Sequence, residues 1–209
     1  MAISNSNDLF QGTDQRGRCW WCAGHDDYVH YHDSEWGVPT KQDHLLFEKI
    51  CLEGFQSGLS WLTILRKRPR FREVFDGFDF NRVASFDDKR VEKLACDPGI
   101  IRHRGKIRSV INNAGRALEM VQKEGSLAAF FWRFEPKNVP PIRSREDLVA
   151  TTAESIAMAQ ELKKRNWSFV GPTTCYAFMQ SMGIVNDHHR DCFRWPVVQS
   201  LRQRFSVPT

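Results

Sequence analysis

Apolar residues recur every three to four positions in several stretches of the chain, and this periodicity predicts an all-α protein. The most regular stretch lies over about 104–122, where one helix face carries Ile107, Val110, Ile111, Ala114, Leu118 and Val121. Other helices are predicted from about residue 43, over 60–68, after 87 or 88, up to 164, and over 172–182. No stretch alternates as a half-buried strand does, and the sequence has no internal repeat.

The ends of these helices are predicted from capping and breaking residues. Pro69 is expected to end the helix that starts at Ser60, because proline lacks the N–H that continues a helix. The other predicted ends are N-caps at Asp87 or Asp88 and at Thr151 or Thr152, a first turn at Pro172 and a stop at Gly183.

Composition divides the chain into three segments. Residues 1–17 are polar and predict a flexible tail, whereas 18–195 are expected to form one domain. Residues 196–209 are expected to be a basic C-terminal tail. The hydrophobic fraction of 41% is sufficient for a buried core.

Location and partners are constrained by composition and charge. No apolar run reaches a membrane span and no signal peptide opens the chain, so we expect a cytoplasmic protein without a membrane partner. Six cysteines in a reducing compartment are expected to be ligands or buried thiols. The net charge of +5 is modest, but basic clusters occur at 66–70, 102–106 and 163–165. Together with seven tryptophans and fifteen phenylalanines, these clusters favour a nucleic-acid partner over merely solvated helix faces.

Metal-ligating residue types lie near both ends of the sequence. His188 and Cys192 are four residues apart, so on a helix they share one face. With His32 and either Cys19 or Cys22 they form a Cys2His2 set, which suits tetrahedral zinc without an open position. Such an ion would be structural and would join the N- and C-terminal segments. His189 is an alternative to His188, although the spacing to Cys192 favours His188.

The segment FVGPTTCY at 169–176 predicts a glycine-containing hairpin between two helices. Backbone N–H groups at such a hairpin and the dipole of the following helix suit an anion, for which a DNA phosphate is a natural candidate. An ordinary helix–helix corner is the alternative.

Longer motifs indicate a family. The hairpin and the segment VNDH at 185–188 resemble the helix-hairpin-helix DNA glycosylases. The motifs YHDSEWGVP at 31–39, CLEGFQSGLSW at 51–61 and GIIRHRGKI at 99–107 resemble the bacterial 3-methyladenine DNA glycosylase I family. That resemblance implies an all-helical glycosylase with a structural zinc, which flips and excises 3-methyladenine from alkylated double-stranded DNA and acts as a monomer. The family pattern Arg-Cys-x-Trp also selects Cys19 over Cys22.

The resemblance also implies roles for individual residues. Glu53 would be the catalytic-site carboxylate, accepting hydrogen bonds from the adenine edge and favouring a cationic base. Trp61 would stack on the base. The other aromatic residues expected in the base pocket are Tyr31, Trp21, Tyr28 and Trp36.

DNA contacts are expected from three groups of residues. Gly58 and Leu59 resemble the family's wedge, in which an apolar side chain fills the gap left by the flipped nucleotide. Gly171 would hold a phosphate at the hairpin. Nearby cations would add further phosphate contacts, from Arg102, Arg104, Lys106 and Lys164.

Two absences refine the expected activity. Asn186 stands where many helix-hairpin-helix glycosylases have an aspartate, although Asp187 is adjacent. Thr173 stands where those with lyase activity have a lysine, so base removal without strand cleavage is expected. A lesion-binding module of the same fold is the main alternative. A zinc-dependent deaminase is disfavoured, since neither H-x-E nor P-C-x-x-C occurs. The histidines are too widely spaced for a compact zinc finger.

Overall fold

The computed structural model describes residues 8–207, so residues 1–7 of the expected polar tail and 208–209 of the expected basic tail lie outside the described part. The chain divides into two compact units. Among the described residues, the first comprises 8–39, 135–150 and 179–206, and the second comprises 40–134, 151–178 and 207. Within 8–207, no helix is both long enough and apolar enough to cross a membrane.

The first unit contains elements that the hydrophobic pattern did not predict. β1 (Leu9–Gln11) pairs antiparallel with β2 (Gly17–Cys19), so part of the expected tail is a strand. α1 (Asp26–Ser34) follows, and α10 (Arg194–Arg204) occupies most of the expected basic C-terminal tail. Strands of three residues are too short to display an alternating pattern, so periodicity could not predict them.

The second unit is a helical assembly around phenylalanine side chains. Its helices are α2 (Asp43–Gln56), α3 (Trp61–Val74), α4 (Phe80–Val83), α5 (Asp88–Ala95), α6 (Arg104–Glu124), α7 (Leu127–Phe131), α8 (Ala153–Lys164) and the start of α9 (Pro172–Ser181). Phe55 of α2 and Phe71 of α3 are buried with ring centroids 4.5 Å apart. This packing fixes α2, the helix that carries Glu53, against α3.

Local signals predicted several helix boundaries correctly. α6 covers the expected range, and the side chains of Asp87 and Thr152 cap α5 and α8. Pro69 was expected to end a helix, and that expectation is wrong because α3 continues to Val74. Burial of Phe71 and Val74 beyond the proline offsets the missing backbone hydrogen bond.

Candidate functional site

A cluster of four buried side chains in the first unit could hold a metal ion. Cys19 lies at the end of β2 and His32 in α1. His188 and Cys192 were considered as neighbours on a helix face, and that expectation is wrong because residues 188–192 are not helical; the turns before α10 bring the two side chains together instead. Their ligating atoms all lie within 4.8 Å of one another. Cys192 Sγ is 3.5 Å from His32 Nε2 and 3.7 Å from His188 Nδ1.

These distances fit a tetrahedral ion. Zinc bonds to sulfur and nitrogen at the tetrahedral angle place the two ligand atoms about 3.5 Å apart. Burial raises the pKa of the Cys19 thiol well above its ordinary value, while the hydrogen bond with Cys19 lowers that of Cys192. All four side chains are buried, and thiol and imidazole groups of this kind are the usual ligands of structural zinc.

Outer contacts orient the two histidine rings. His32 Nδ1 lies 2.7 Å from Asp33 Oδ1, and the same carboxylate accepts hydrogen bonds from the Arg18 guanidinium at 2.8–3.0 Å. His188 Nε2 lies 3.1 Å from the carbonyl oxygen of Trp36. Each ring therefore directs its other nitrogen into the cluster, an arrangement typical of metal-binding histidines.

The contacts of Cys22 and His189 exclude them as alternatives to Cys19 and His188 in the cluster. Cys22 donates its thiol hydrogen bond to the Cys19 carbonyl at 3.1 Å, and burial raises its pKa to about 12. His189 Nε2 lies 2.6 Å from the carbonyl oxygen of Arg143. Cys19 and His188 are thus the members that join the cluster.

The expected base-pocket aromatics of the first unit form a second cluster. Trp21 lies at the centre, with its ring centroid 5.0 Å from Tyr28, 6.5 Å from Tyr31 and 4.9 Å from Trp36. Trp36 also contacts His188 edge to face at 4.6 Å. The Trp36 ring therefore belongs to the aromatic cluster and also packs against His188 of the metal-ligand cluster.

Asn186, at the expected aspartate position, and the adjacent Asp187 are both buried in the first unit. The Asn186 amide donates to the carbonyl oxygen of Trp195 at 3.1 Å, and Asp187 accepts a hydrogen bond from Gln180 at 2.8 Å. The Asn186 contact joins this segment to α10, and the Asp187 contact joins it to the end of α9.

In the second unit Glu53 pairs with a lysine that the sequence analysis did not identify. The Lys49 ammonium lies 3.0 Å from Glu53 Oε1 and 3.2 Å from the centroid of the Trp61 ring. Lys49 and Glu53 are each only 5% exposed. Burial raises the pKa of the Glu53 carboxyl, and the neighbouring Lys49 charge opposes that rise.

Glu53 also lines an open depression of about 230 Å³. The depression brings together parts of α2, the turn after it and the first turns of α9; its lining residues are Glu53, Gln56, Ser57, Gly58, Leu59, Thr173, Thr174 and Ala177. The depression therefore brings together Glu53, the wedge residues Gly58 and Leu59, and Thr173, which stands where a lyase would have lysine.

The turn after α2 presents an apolar side chain outward. Gly58 has a φ of +80°, a conformation that favours glycine, and Leu59 is 42% exposed. Lys106 stabilises this turn by donating to the carbonyl oxygens of Phe55 at 2.9 Å and Ser57 at 2.6 Å. Lys106 was expected to be a surface cation that contacts a DNA phosphate. It is instead buried, at 7% exposure, and burial lowers the pKa of its ammonium.

The hairpin at 165–171 is anchored by two asparagines of α6. Asn113 accepts a hydrogen bond from the Ser168 amide at 2.9 Å and donates to the Ser168 carbonyl at 3.0 Å. Asn112 donates to the carbonyl oxygen of Asn166 at 2.8 Å. A Cβ atom added at Gly171 would meet nothing within 4 Å. The backbone at Gly171 is therefore open to a close approach by a ligand.

The other expected phosphate contacts are surface cations. Arg102, Arg104 and Lys164 are exposed. Arg104 is paired with Glu92 at 2.7 Å and Lys164 with Glu161 at 2.6 Å. Exposed pairs of this kind are weak, so both cations can exchange partners readily.

The signals for the missed residues were weak. Lys49 precedes Glu53 by four residues, so the two side chains share a face of α2. Exposed helices commonly carry such Lys–Glu pairs, and sequence alone could not tell that this one is buried. Lys106 belongs to a basic cluster in the sequence, so it was interpreted as a surface cation. The sequence does not indicate that its ammonium donates to the carbonyl oxygen of Ser57 in the turn after α2.

Comparisons with known proteins assign the class. The family model for methyladenine glycosylase matches residues 21–195, and the chain belongs to this family. A relative in Escherichia coli, named DNA-3-methyladenine glycosylase 1, is 45% identical over 181 residues, which cover 86% of this chain and 97% of the relative.

Solved structures agree with this assignment. A crystal structure of 3-methyladenine DNA glycosylase I is 47% identical and superimposes with a TM-score of 0.82, covering 84% of this chain and 98% of that one. A variant of 3-methyladenine DNA glycosylase I in complex with 3-methyladenine is 30% identical with a TM-score of 0.80, covering 84% and 97%.

Proposed function

We propose that this protein is a DNA repair enzyme that flips 3-methyladenine out of alkylated double-stranded DNA and hydrolyses its N-glycosidic bond. The observation that carries the proposal is the buried Glu53 carboxylate lining a depression that also contains the exposed Leu59. The names of the relatives support the same lesion and the same reaction.

The chemistry requires little acid catalysis. Methylation at N3 makes the base cationic, so the glycosidic bond is weak and the departing base is a good leaving group. A carboxylate in a water-poor site attracts that cation and accepts hydrogen bonds from the adenine edge. Glu53 supplies this carboxylate at the wall of the depression, where the extruded base can reach it.

Aromatic side chains provide the stacking surfaces. Trp61 contacts Lys49, the partner of Glu53, and is the proposed stacking residue. Tyr31, Trp21 and Tyr28 of the aromatic cluster are proposed to contribute further base contacts. Trp36 stays within the proposed base-binding set, although its contact with His188 also gives it a supporting role.

DNA is proposed to be held by the turn and the hairpin, as in the helix-hairpin-helix glycosylases. Leu59 would fill the space left by the flipped nucleotide, and Gly58 allows the backbone to approach the strand. Gly171 would receive a phosphate, assisted by Arg102, Arg104 and Lys164. Lys106 would act from beneath, by holding the turn that presents Leu59.

We further propose that Cys19, His32, His188 and Cys192 bind one zinc ion. Four protein ligands leave no position for substrate, so the ion would contribute stability and no chemistry. The protein is proposed to act as a monomer in the cytoplasm, with residues 18–195 as its glycosylase domain.

The reaction is proposed to stop at base removal. Strand cleavage by a glycosylase requires an amine that forms a Schiff base with the sugar. Thr173 occupies the position in α9 where a lyase would carry lysine, and it lines the same depression as Glu53.

Base release from methylated DNA tests the proposal. The expected result is liberation of 3-methyladenine, identified by chromatography with authentic standards. The competing candidate is a lesion-binding module of the same fold. Binding of methylated DNA without release of any base would establish that candidate and exclude the enzyme.

A further inference from the structure

We propose that Lys49 is a positioning residue for base recognition, which holds the Glu53 carboxylate ionised and directed at the depression. The inference deepens the proposed function and rests on it. Its basis is a three-residue arrangement within the second unit, in which one buried ammonium contacts both the carboxylate and the indole that are proposed to receive the base.

The geometry of α2 produces this arrangement. Residues four apart on a helix lie one above the other, so Lys49 reaches Glu53 without leaving the helix surface. The ammonium lies over the face of Trp61, where the ring quadrupole attracts a cation. The indole and the carboxylate therefore fix the ammonium from two directions.

The electrostatic consequence follows from burial. A carboxylate removed from water and left alone takes up a proton, and the protonated oxygen then no longer accepts a hydrogen bond from the adenine edge. An adjacent cation reverses this preference because opposite charges interact strongly where water is excluded. Lys49 is the cation in contact with Glu53, whereas Lys106 is engaged by the carbonyl oxygens of Phe55 and Ser57.

The same helix offers a matched comparison. Glu48 is also buried, and it pairs with Arg72 of α3 at 2.7 Å. The residues that line the depression include Glu53 but not Glu48. Arg72 is 44% exposed, so disrupting this pair removes the partner of another buried carboxylate of α2 without touching the proposed site.

The experiment compares single-turnover release of 3-methyladenine by wild type, Lys49→Met, Lys49→Arg, Glu53→Gln, the Lys49→Met/Glu53→Gln double variant and Arg72→Met. Methionine retains an unbranched side chain of similar length. Lys49→Met is expected to slow release roughly tenfold or more, because it removes the charge-assisted hydrogen bond that orients the Glu53 carboxylate. Lys49→Arg keeps the cation and is expected to recover most of the rate, and Arg72→Met to release base at the wild-type rate.

The double variant separates a positioning role from a packing role. If Lys49 acts through Glu53, Lys49→Met should have little further effect once Glu53 is glutamine. Losses that multiply in the double variant, or wild-type release by Lys49→Met, would overturn the inference. Thermal melts identify variants that fail to fold; if Lys49→Met is one, Lys49→Gln takes its place in the same cycle. A wild-type protein that releases no base would overturn the proposed function itself, which is a different result from any pattern among the variants.

Discussion

His188 Nδ1 lies 3.6 Å from Cys19 Sγ, although 169 positions separate the two residues in the sequence. A contact over so long a chain closes a very large loop, and its entropic cost has to be offset by a strong interaction. A metal ion shared with His32 and Cys192 would provide that interaction.

The first prediction concerns this cluster. The protein should contain one zinc per chain, and Cys192→Ser should lose it and melt at a lower temperature. Structural zinc typically contributes roughly 10–16 kcal/mol of binding free energy. A decrease of only about 3 kcal/mol in the free energy of unfolding lowers the melting temperature of a domain of this size by roughly 6–12 °C. Metal analysis and calorimetry measure both effects. Cys96→Ser, at an exposed cysteine, is the matched control; zinc retained at full stability in Cys192→Ser would refute the assignment.

The second prediction concerns the carboxylate. Glu53→Gln preserves shape but removes charge, so single-turnover base release should fall by about 5- to 150-fold, corresponding to roughly 1–3 kcal/mol. The glutamine amide oxygen can still accept a hydrogen bond from the buried Lys49 ammonium, so the variant should fold, and a thermal melt checks this. Release at the wild-type rate would show that the base binds elsewhere.

The third prediction concerns stacking. Trp61→Phe should weaken base release modestly and Trp61→Ala more severely, since stacking contributes about 1–3 kcal/mol per base. Trp61 is buried, so truncation to alanine also removes packing, and the phenylalanine variant separates the two effects. Equal rates for all three proteins under single-turnover conditions would exclude a stacking role.

The fourth prediction concerns the hairpin. Gly171→Ala should fold normally, because an added Cβ at this position has open space around it. The same methyl group would obstruct a phosphate approaching the backbone, so DNA affinity should decrease. Fluorescence anisotropy across a range of salt concentrations measures this, and wild-type affinity should itself fall as salt rises. Unchanged affinity in the alanine variant would place the phosphate elsewhere.

The fifth prediction concerns the reaction products. Wild-type protein should leave abasic DNA intact, with strand breaks appearing only after alkali treatment on a denaturing gel. Borohydride should trap no covalent complex, because Thr173 offers no amine to the sugar. A trapped complex would identify a lysine nucleophile, and Lys49→Met would then show whether Lys49 is that residue.

The parts of the structure that could be predicted from sequence are those determined locally. The periodicity of α6 and the caps at Asp87 and Thr152 depend on neighbouring residues, and all three predictions are confirmed. The helix end predicted at Pro69 is wrong because the burial of later residues in α3 outweighs the local helix-breaking preference of proline. The short strands and the first helix offered little periodicity to detect.

The candidate site shows the same division. Residue type and spacing indicated His32, His188 and Cys192, whereas the choice of Cys19 over Cys22 depended on the family pattern Arg-Cys-x-Trp. The burial of Lys49 and Lys106 depends on tertiary packing, which spacing does not encode. Both lysines are therefore visible only once α2, α3 and α6 are placed against one another.

The arrangement of the metal-ligand cluster has a consequence for protein synthesis. Domains begin to fold while the chain is still emerging from the ribosome. Most residues of the second unit precede position 179, whereas the cluster remains incomplete until Cys192 has been translated. A nascent or prematurely terminated chain would expose Cys19 and His32 without their partners. Only a chain translated as far as Cys192 could therefore bind the proposed ion with all four side chains.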